Sequence, residues 1–276
     1  MEDKIIATYC LCDDLCKAIH APGDPQQKMT DAEVMTTALV AAFYFRGNLE
    51  SARIMLKTYG YMPTMLSKSR FSRRLHELKD TLMELFHFLA QIWKALNKDA
   101  LYIIDSFPIA VCDNYRIPRA QLYQGELFRG SIPSKKRYFY GLKVHLMITK
   151  DGQPVEYFVT HGALSDVEGL KYFAFDLPEG SIVYGDKAYN DYKIEDLLHE
   201  AEHITLLPLR KKNSKRALPM YVSFVQHYYR KKIETAVSLM EQTWPKSIHA
   251  VTSQGFELKV ILFVVAYSLN CLFTIL

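Results

Sequence analysis

The sequence lacks the features of a disulfide-stabilised, zinc-binding or strongly charged protein. Its five cysteines are an odd number, and no signal peptide is recognisable before them, so we expect reduced thiols in the cytosol. Cys10, Cys12 and Cys16 have no matching cysteine and histidine pair further along, which favours ordinary helix cysteines over zinc ligands. The balance of 34 basic and 30 acidic residues permits a polyanionic partner without requiring one.

One apolar run approaches the length of a membrane span. Residues 260–276 are almost wholly apolar, but they include Tyr267, Ser268 and Asn270, and no basic residue follows to anchor a far side. We therefore expect a buried helix packed on a sheet, and no membrane partner. The hydrophobic content of 49% is ample for a substantial core in one large domain or two.

The first hundred residues are predicted to be helical. Thr30 and Glu33 form the pattern of a helix cap ahead of residues 34–45. A short helix is predicted at residues 67–78, with its apolar residues on one face and its basic residues mostly on the others. This helix resembles a recognition helix that would carry Arg70, Arg73 and Arg74 to DNA; a solvated basic face is the alternative.

From residue 101 the pattern changes to strands. Residues 101–112, 137–149 and 154–160 are predicted to form an antiparallel meander, with Lys150, Asp151 and Gly152 as a hairpin signal. Alternating helices and strands are predicted next, at residues 166–175, 181–184, 192–201 and 203–209, followed by final helices at 221–243 and 256–273. This order predicts an α/β fold with a mixed sheet.

Three acids in these elements are candidates for one site. Asp105 lies within a strongly apolar strand, where a carboxylate is costly unless a cation neutralises it. Asp186 follows the end of a later strand, where open α/β sheets build their sites. Glu234 lies four residues after Arg230 on one face of a predicted helix, and Glu241 shares that face as the alternative.

Four short motifs around these acids resemble the DDE transposases of bacterial insertion sequences. They read Tyr-Ile-Ile-Asp-Ser ending at Ser106, Tyr-Gly-Leu-Lys-Val-His ending at His145, Tyr-Gly-Asp-Lys-Ala-Tyr ending at Tyr189, and Arg230-x-x-x-Glu234-Thr. They occur in the family's order and approximate spacing, and the likeness covers nearly the whole chain. The sequence departs from related transposases by having His227 and Glu241 where those carry tyrosine and lysine.

The resemblance implies a fold, a site and a cofactor. It implies an RNase H-like mixed sheet flanked by helices at residues 100–276, preceded by an α-helical DNA-binding region at residues 1–99. The residues Asp105, Asp186 and Glu234 match the family's catalytic, metal-binding acids. Two Mg²⁺ ions, with Mn²⁺ able to substitute, could activate a nucleophilic oxygen and stabilise a leaving oxygen in phosphodiester cleavage.

Further residues are candidates for DNA contacts. Lys143 and His145 alternate along one strand and project to the same side, towards either DNA or solvent. Lys187, beside Asp186, and Arg230 are candidates on the same grounds, as are the cations of the insertion at residues 113–136 and of the loop at residues 210–216. His161 and Asp166 are interpreted as structural.

The expected function is that of a DNA transposase. Such an enzyme would bind the inverted-repeat ends of its own element, hydrolyse phosphodiester bonds and join the 3′-OH ends to target DNA, acting on double-stranded DNA as a homodimer in the bacterial cytoplasm or nucleoid. Two alternatives remain open. One is a stand-alone nuclease with an RNase H-like core, and the other is a non-catalytic DNA-binding relative of a transposase.

Overall fold

The computed structural model describes residues 1–19, 27–132, 136–211, 213–245 and 248–275. They form two compact units, a helical unit of Met1–Leu89 with Met240–Leu276 and a sheet unit of Ala90–Leu239. The sequence-based division placed everything after residue 99 in one domain. The structure instead groups the last helix with the N-terminal helices, because that helix packs on helices of the N-terminal region.

The secondary-structure elements described within the first hundred residues are all helices, as predicted. The helices are α1 (Glu2–Ile19), α2 (Asp31–Tyr44), α3 (Leu49–Thr58), α4 (Lys68–Glu77) and α5 (Lys79–Leu96). The predicted cap of α2 is present, since Thr30 Oγ1 accepts the N–H of Glu33 at 3.2 Å and Glu33 Oε2 accepts the N–H of Thr30 at 2.7 Å. Almost every side chain of α2 is buried, so this helix is the centre of the helical unit.

The last helix, α9 (Ser253–Ile275), belongs to the core of the helical unit. Its residues Ser253–Thr274, with a mean hydropathy of 1.8, are long and apolar enough to cross a membrane, but 67% of that stretch is buried inside the protein. Its main partners within the unit are α2 and α4, so it packs on helices of its own unit. At Gly47, whose φ is +76°, a Cβ would come within 2.8 Å of the Phe263 ring, so glycine permits this packing.

The sheet unit contains the mixed six-stranded sheet. Its elements are β1 (Leu101–Cys112), β2 (Arg129–Ile132), β3 (Arg137–Thr149), β4 (Pro154–His161), α6 (Asp166–Gly169), β5 (Ile182–Gly185), α7 (Tyr192–Glu202), β6 (Thr205–Pro208) and the first part of α8 (Met220–Thr243). β4, β3 and β1 form the predicted antiparallel meander, and β5 and β6 continue the sheet parallel to β1. This order, β4-β3-β1-β5-β6, is the RNase H-like sheet that was expected.

Two local predictions were wrong. The short strand β2 pairs with the beginning of β3, although its segment was predicted to be a loop. The helix predicted at residues 166–175 ends after the single turn of α6, followed by a 3₁₀ turn at Leu170–Tyr172. The chain then bends back, because Glu156 Oε1 accepts the N–H of Ala174 at 2.6 Å and the Phe173 ring packs 4.8 Å from that of Phe158.

Candidate active site

Asp105, within β1, and Asp186, directly after the end of β5, lie side by side on two parallel strands. In the pairing of β1 with β5, Leu101 is opposite Ile182 and Ile103 is opposite Tyr184. The same register, continued by two residues, sets Asp186 opposite Asp105. Neighbouring strands are about 4.8 Å apart, and residues opposite each other point to the same face of the sheet. The structure therefore brings these two predicted acids together.

A tight turn after β5 fixes the position of Asp186. Its Oδ1 accepts the N–H of Ala188 at 2.6 Å and so caps a single 3₁₀ turn at Lys187–Tyr189. A Cβ on Gly185 would lie only 3.3 Å from the side chains of Ile104 and Tyr189. Because residue 185 is a glycine, β5 can pass close to its neighbours, and Asp186 lies directly after the end of that strand.

The two aspartates are short of positive charge. Burial raises the pKa of Asp105 to about 7; the charges of Asp186 and Asp166 add to this rise, whereas the Ser106 N–H, at 2.8 Å from Asp105 Oδ1, opposes it. Burial also raises the pKa of Asp186, against the Ala188 N–H and the charge of Arg230. Within the described residues neither carboxylate forms an ion pair, so a bound cation would stabilise both.

Helix α8 approaches this end of the sheet. The Tyr229 ring stacks on Tyr184 of β5 with centroids 5.6 Å apart, and Gln226 Nε2 donates to the carbonyl oxygen of Leu207 at 2.8 Å. These contacts bring Arg230 close enough to lower the pKa of Asp105 and of Asp186. One turn later, Glu234 accepts from Arg230 Nε at 3.1 Å.

Glu234 does not join the two aspartates in this structure. Its side chain is 56% exposed and is paired with Arg230. In the part of the chain that the structure describes, no group of three acidic, histidine or cysteine side chains has the spacing of a metal site. Two aspartates nonetheless suit Mg²⁺, which is commonly held by one or two carboxylates together with water and substrate phosphates. The role of Glu234 as a third ligand stays a prediction.

Asp166, interpreted from the sequence as structural, lies close to the site but on the other face of the sheet. Asp105 and Ser106 are successive in β1 and therefore point to opposite faces. Ser106 Oγ donates to Asp166 Oδ1 at 2.6 Å, and Lys143 Nζ donates to the same oxygen at 3.0 Å. Asp166 is thus paired with Lys143, and from the other face of the sheet its charge still adds to the rise in the pKa of Asp105.

Tyr189 was quoted in a motif but not recognised as part of the site. Its ring is fully buried against Gly185, and its hydroxyl lies near the Ser106 side chain. Burial raises its pKa far above the ordinary value, and the charges of Asp105, Asp166 and Asp186 raise it further, while the Ser106 side chain lowers it. The phenol is therefore neutral and forms part of the low-dielectric surroundings of the two aspartates.

The predicted DNA contacts of β3 do not fit its environment. His145 is completely buried; its ring stacks on Phe158 at 4.7 Å and its Nε2 lies 3.1 Å from Thr160 Oγ1. Burial lowers the pKa of His145 to about 4, so the ring is neutral near pH 7. Lys143 is 12% exposed and committed to Asp166 and the carbonyl oxygen of Leu164. Both side chains are structural, because strand β4 and α6 cover this face.

The other residues predicted to contact DNA differ in whether their side chains are exposed and free of ion pairs. Arg70 and Arg73 of α4 are exposed and form no ion pair with the described residues, whereas Arg74 is paired with Asp31 and lies 3.7 Å from Glu77. Lys187 is exposed beside the aspartates. In the loop at 210–216, Arg210 and Arg216 bind Glu195, so they are not free for phosphate. Residues 133–135 and 212, which belong to the two basic segments, lie outside the described residues.

Of the comparisons with known proteins, the match to a family model identifies the family of this chain. The crystal structure of a pre-cleavage Mos1 transpososome is 11% identical, with 92% of this chain and 81% of that chain covered and a TM-score of 0.26, too low to support a conclusion. No curated protein matches the sequence. Residues 96–244 match the family model described as Transposase DDE domain, a range that contains Asp105, Asp186 and Glu234. Since this range exceeds half of the chain, the protein belongs to the Transposase DDE domain family.

Proposed function

We propose that the protein is the transposase of a bacterial insertion sequence. It binds the inverted-repeat ends of its element, hydrolyses a phosphodiester bond to expose a 3′-OH, and joins that 3′-OH to target DNA. The observation that carries this proposal is the pair Asp105 and Asp186, set side by side with their negative charge unneutralised. Membership of the Transposase DDE domain family supports phosphodiester chemistry at this pair.

Asp105 and Asp186 would hold the divalent ions, Mg²⁺ or Mn²⁺, and Glu234 would complete the set. When bound, the metal activates the attacking oxygen and stabilises the leaving oxygen of the phosphodiester. The strand ends contribute rigidity, since β1 and the capped turn after β5 fix both aspartates before substrate arrives. Tyr189 excludes water behind them, which strengthens the binding of a cation.

Arg230 lies close enough to both aspartates to lower their pKa values, and it is also paired with Glu234. An exposed i,i+4 pair such as Arg230–Glu234 is worth only about 0.3 to 0.5 kcal/mol, so a stronger ligand for either side chain displaces it. A DNA phosphate near the aspartates would take Arg230, and this exchange would free the carboxylate of Glu234. Arg230 is therefore proposed as a phosphate contact next to the reacting bond.

Duplex DNA is the proposed substrate, bound through the exposed face of α4. Arg70 and Arg73 supply side chains that reach base edges or phosphates, while Phe71 and Leu75 anchor the helix in the core. Lys187 adds a phosphate contact beside the aspartates. Because two element ends must be brought together, the active form is proposed to be a homodimer on DNA, in the bacterial cytoplasm or nucleoid.

The test uses linear DNA that carries the two terminal inverted repeats of the element. With Mg²⁺, the wild-type chain is expected to nick these ends and to join them to a second duplex; cutting without joining would instead identify a nuclease. Asp105→Asn and Asp186→Asn should lose cleavage while retaining DNA binding. Glu200→Gln on α7 is the matched control. Cleavage at wild-type rate by both aspartate variants would contradict the proposal, and DNA binding without cleavage by the wild type would identify a non-catalytic DNA-binding protein.

A parallel pair of variants identifies the third acid. Glu234→Gln should lose cleavage to a similar extent, and Glu241→Gln, seven residues further along α8, should not. The reverse outcome would transfer the role to Glu241.

A further inference from the structure

The helical unit contains a groove of about 860 Å³ that the proposed site does not use. Its walls come from three segments: the turn between α2 and α3, the helix α4, and residues 245–262 around the start of α9. Leu75, Leu258 and Leu262 contribute apolar surface to it. We call it the basic groove, because its lining includes the cations Arg46, Lys68 and Lys259, the histidines His76 and His249, and one acid, Glu50.

The positive charge of the basic groove is largely uncompensated. Glu50, the acid in its lining, is already paired with Arg53. Arg46 and Lys68 are exposed and form no ion pair within the described ranges. Lys259 is half-buried and donates to the carbonyl oxygen of His249, an uncharged partner. Three cations from three separate segments therefore face one groove without a carboxylate to neutralise them.

Two further observations favour an anionic occupant. Burial lowers the pKa of Lys259, which means that its charge has lost water without gaining an opposite charge. The 23-residue helix α9 begins at the groove, with the N–H of Gly255 bonded to Thr252 Oγ1, and the partial positive charge of a helix start adds to that of the lysines. An anion in the groove would offset both.

The extent of the positive surface favours a polymer over a small ion. A second cavity of about 410 Å³ lies along α4 and is lined by Lys28, Arg70 and Arg73. Helix α4 therefore carries unpaired cations towards two cavities, Lys68 towards one and the two arginines towards the other. Cations spread along a helix match a run of phosphates, whereas a site for a free phosphate ion would gather its donors around one point.

We propose that the basic groove binds the phosphate backbone of duplex DNA, so that the start of α9 holds the same duplex as α4. The inference rests on the proposed DNA substrate and assigns a new contact surface to it. Helix α9 then contacts DNA as well, although the predicted DNA contacts of the helical unit all lie on α4. Phosphate contacts of this kind fix the position of a duplex without reading its sequence.

The test measures binding of fluorescent duplex DNA to the full chain, in EDTA so that no cleavage occurs, at several salt concentrations. The groove variant combines Arg46→Gln, Lys68→Gln and Lys259→Gln. The control variant, with the same change in net charge, combines Lys57→Gln, Lys98→Gln and Lys193→Gln, all exposed elsewhere. Circular dichroism and thermal unfolding establish that each variant is folded, and the double variant of the exposed Arg46 and Lys68 repeats the test without the half-buried Lys259.

The groove variant is expected to bind at least about tenfold more weakly than the control variant. Its plot of log affinity against log salt should be flatter by about 2 to 3, one unit for each lost phosphate contact. Equal affinity and equal salt dependence of the groove and control variants, with tight binding by the wild type, would overturn this inference alone. This inference alone would also be overturned if inorganic phosphate stabilised the wild type but not the groove variant, while both proteins bound DNA equally well. The groove would then be a site for a small anion. Absence of DNA binding by the wild type would overturn the proposed function as well.

Discussion

Two buried acidic sites of the sheet unit differ in how their charge is balanced. Glu195 of α7 is 6% exposed and binds Arg210 through both oxygens, at 2.6 and 2.8 Å, with Arg216 as a second partner at 3.2 Å. Asp105 has Asp186 beside it and no ion pair among the described residues. An acid that only holds the fold together comes with its own cations. The aspartates lack theirs, which is the arrangement expected where a cation must arrive from outside.

The largest effect on stability is therefore expected at the balanced site. Glu195→Ala leaves Arg210, whose side chain is 9% exposed, without its carboxylate. Removal of one partner from a buried ion pair costs about 3 to 5 kcal/mol of unfolding free energy. Urea unfolding measures this loss of unfolding free energy in Glu195→Ala. The control is Glu200→Ala, a change at an exposed residue of the same helix. A loss below about 1 kcal/mol would break the comparison, because Glu195 would then resemble an ordinary surface acid.

At Asp105 the effect on stability has the opposite sign: its charge destabilises the folded protein, whereas the charge of Glu195 stabilises it. The folded pKa of Asp105, about 7, is above its unfolded value near 4, so folded protein holds a proton there that unfolded protein has lost. Stability from this residue therefore falls as pH rises from about 4 to about 7 and stays low above that range. Asp105→Asn should raise the free energy of unfolding above pH 7 by up to about 4 kcal/mol, at 1.36 kcal/mol for each unit of pKa, and by much less near pH 4.

Thermal unfolding of Asp105→Asn and of wild type from pH 4 to pH 8.5, in EDTA, checks this prediction. The gap between their midpoints should widen as pH rises. A wild type more stable than the variant at pH 8 would mean that Asp105 has a cationic partner after all.

The smallest effect on stability is expected at Glu234. Its pair with Arg230 is exposed on both sides, so Glu234→Gln should change the free energy of unfolding by no more than about 0.5 kcal/mol. The same variant should nevertheless lose cleavage, as proposed above. A destabilisation of about 2 kcal/mol or more in urea unfolding would place Glu234 with Glu195, among the acids that hold the fold together.

The sequence predicted the main strands better than the site. The bounds of β1 and β3 were predicted to the residue, since both are long β-branched and aromatic runs with turn residues after them. The start of α6 was predicted correctly, because the cap at Ser165 is a genuine helix start, but its end was not, because tertiary contacts of Phe173 end the helix early. Local pattern carries no information about such contacts.

The limits at the site have the same origin. Asp186 could be placed from its position after a strand, because parallel strands share their carboxyl ends. Alternation along β3 correctly put Lys143 and His145 on one side, but burial of that side depends on β4 and α6, which only the folded chain reveals. Asp166 was undervalued for this reason too, since its link to Ser106 spans 60 residues of sequence.

The proposed function depends most on the binding of a divalent cation by Asp105 and Asp186 together. Calorimetric titration of Mg²⁺ or Mn²⁺ into the wild type, Asp105→Asn, Asp186→Asn and the control Glu200→Gln tests it without DNA. The wild type and the control are expected to bind the ion saturably and stoichiometrically, and both aspartate variants are expected to lose this binding. Identical binding by all four proteins, or none by the wild type, would contradict the proposed function.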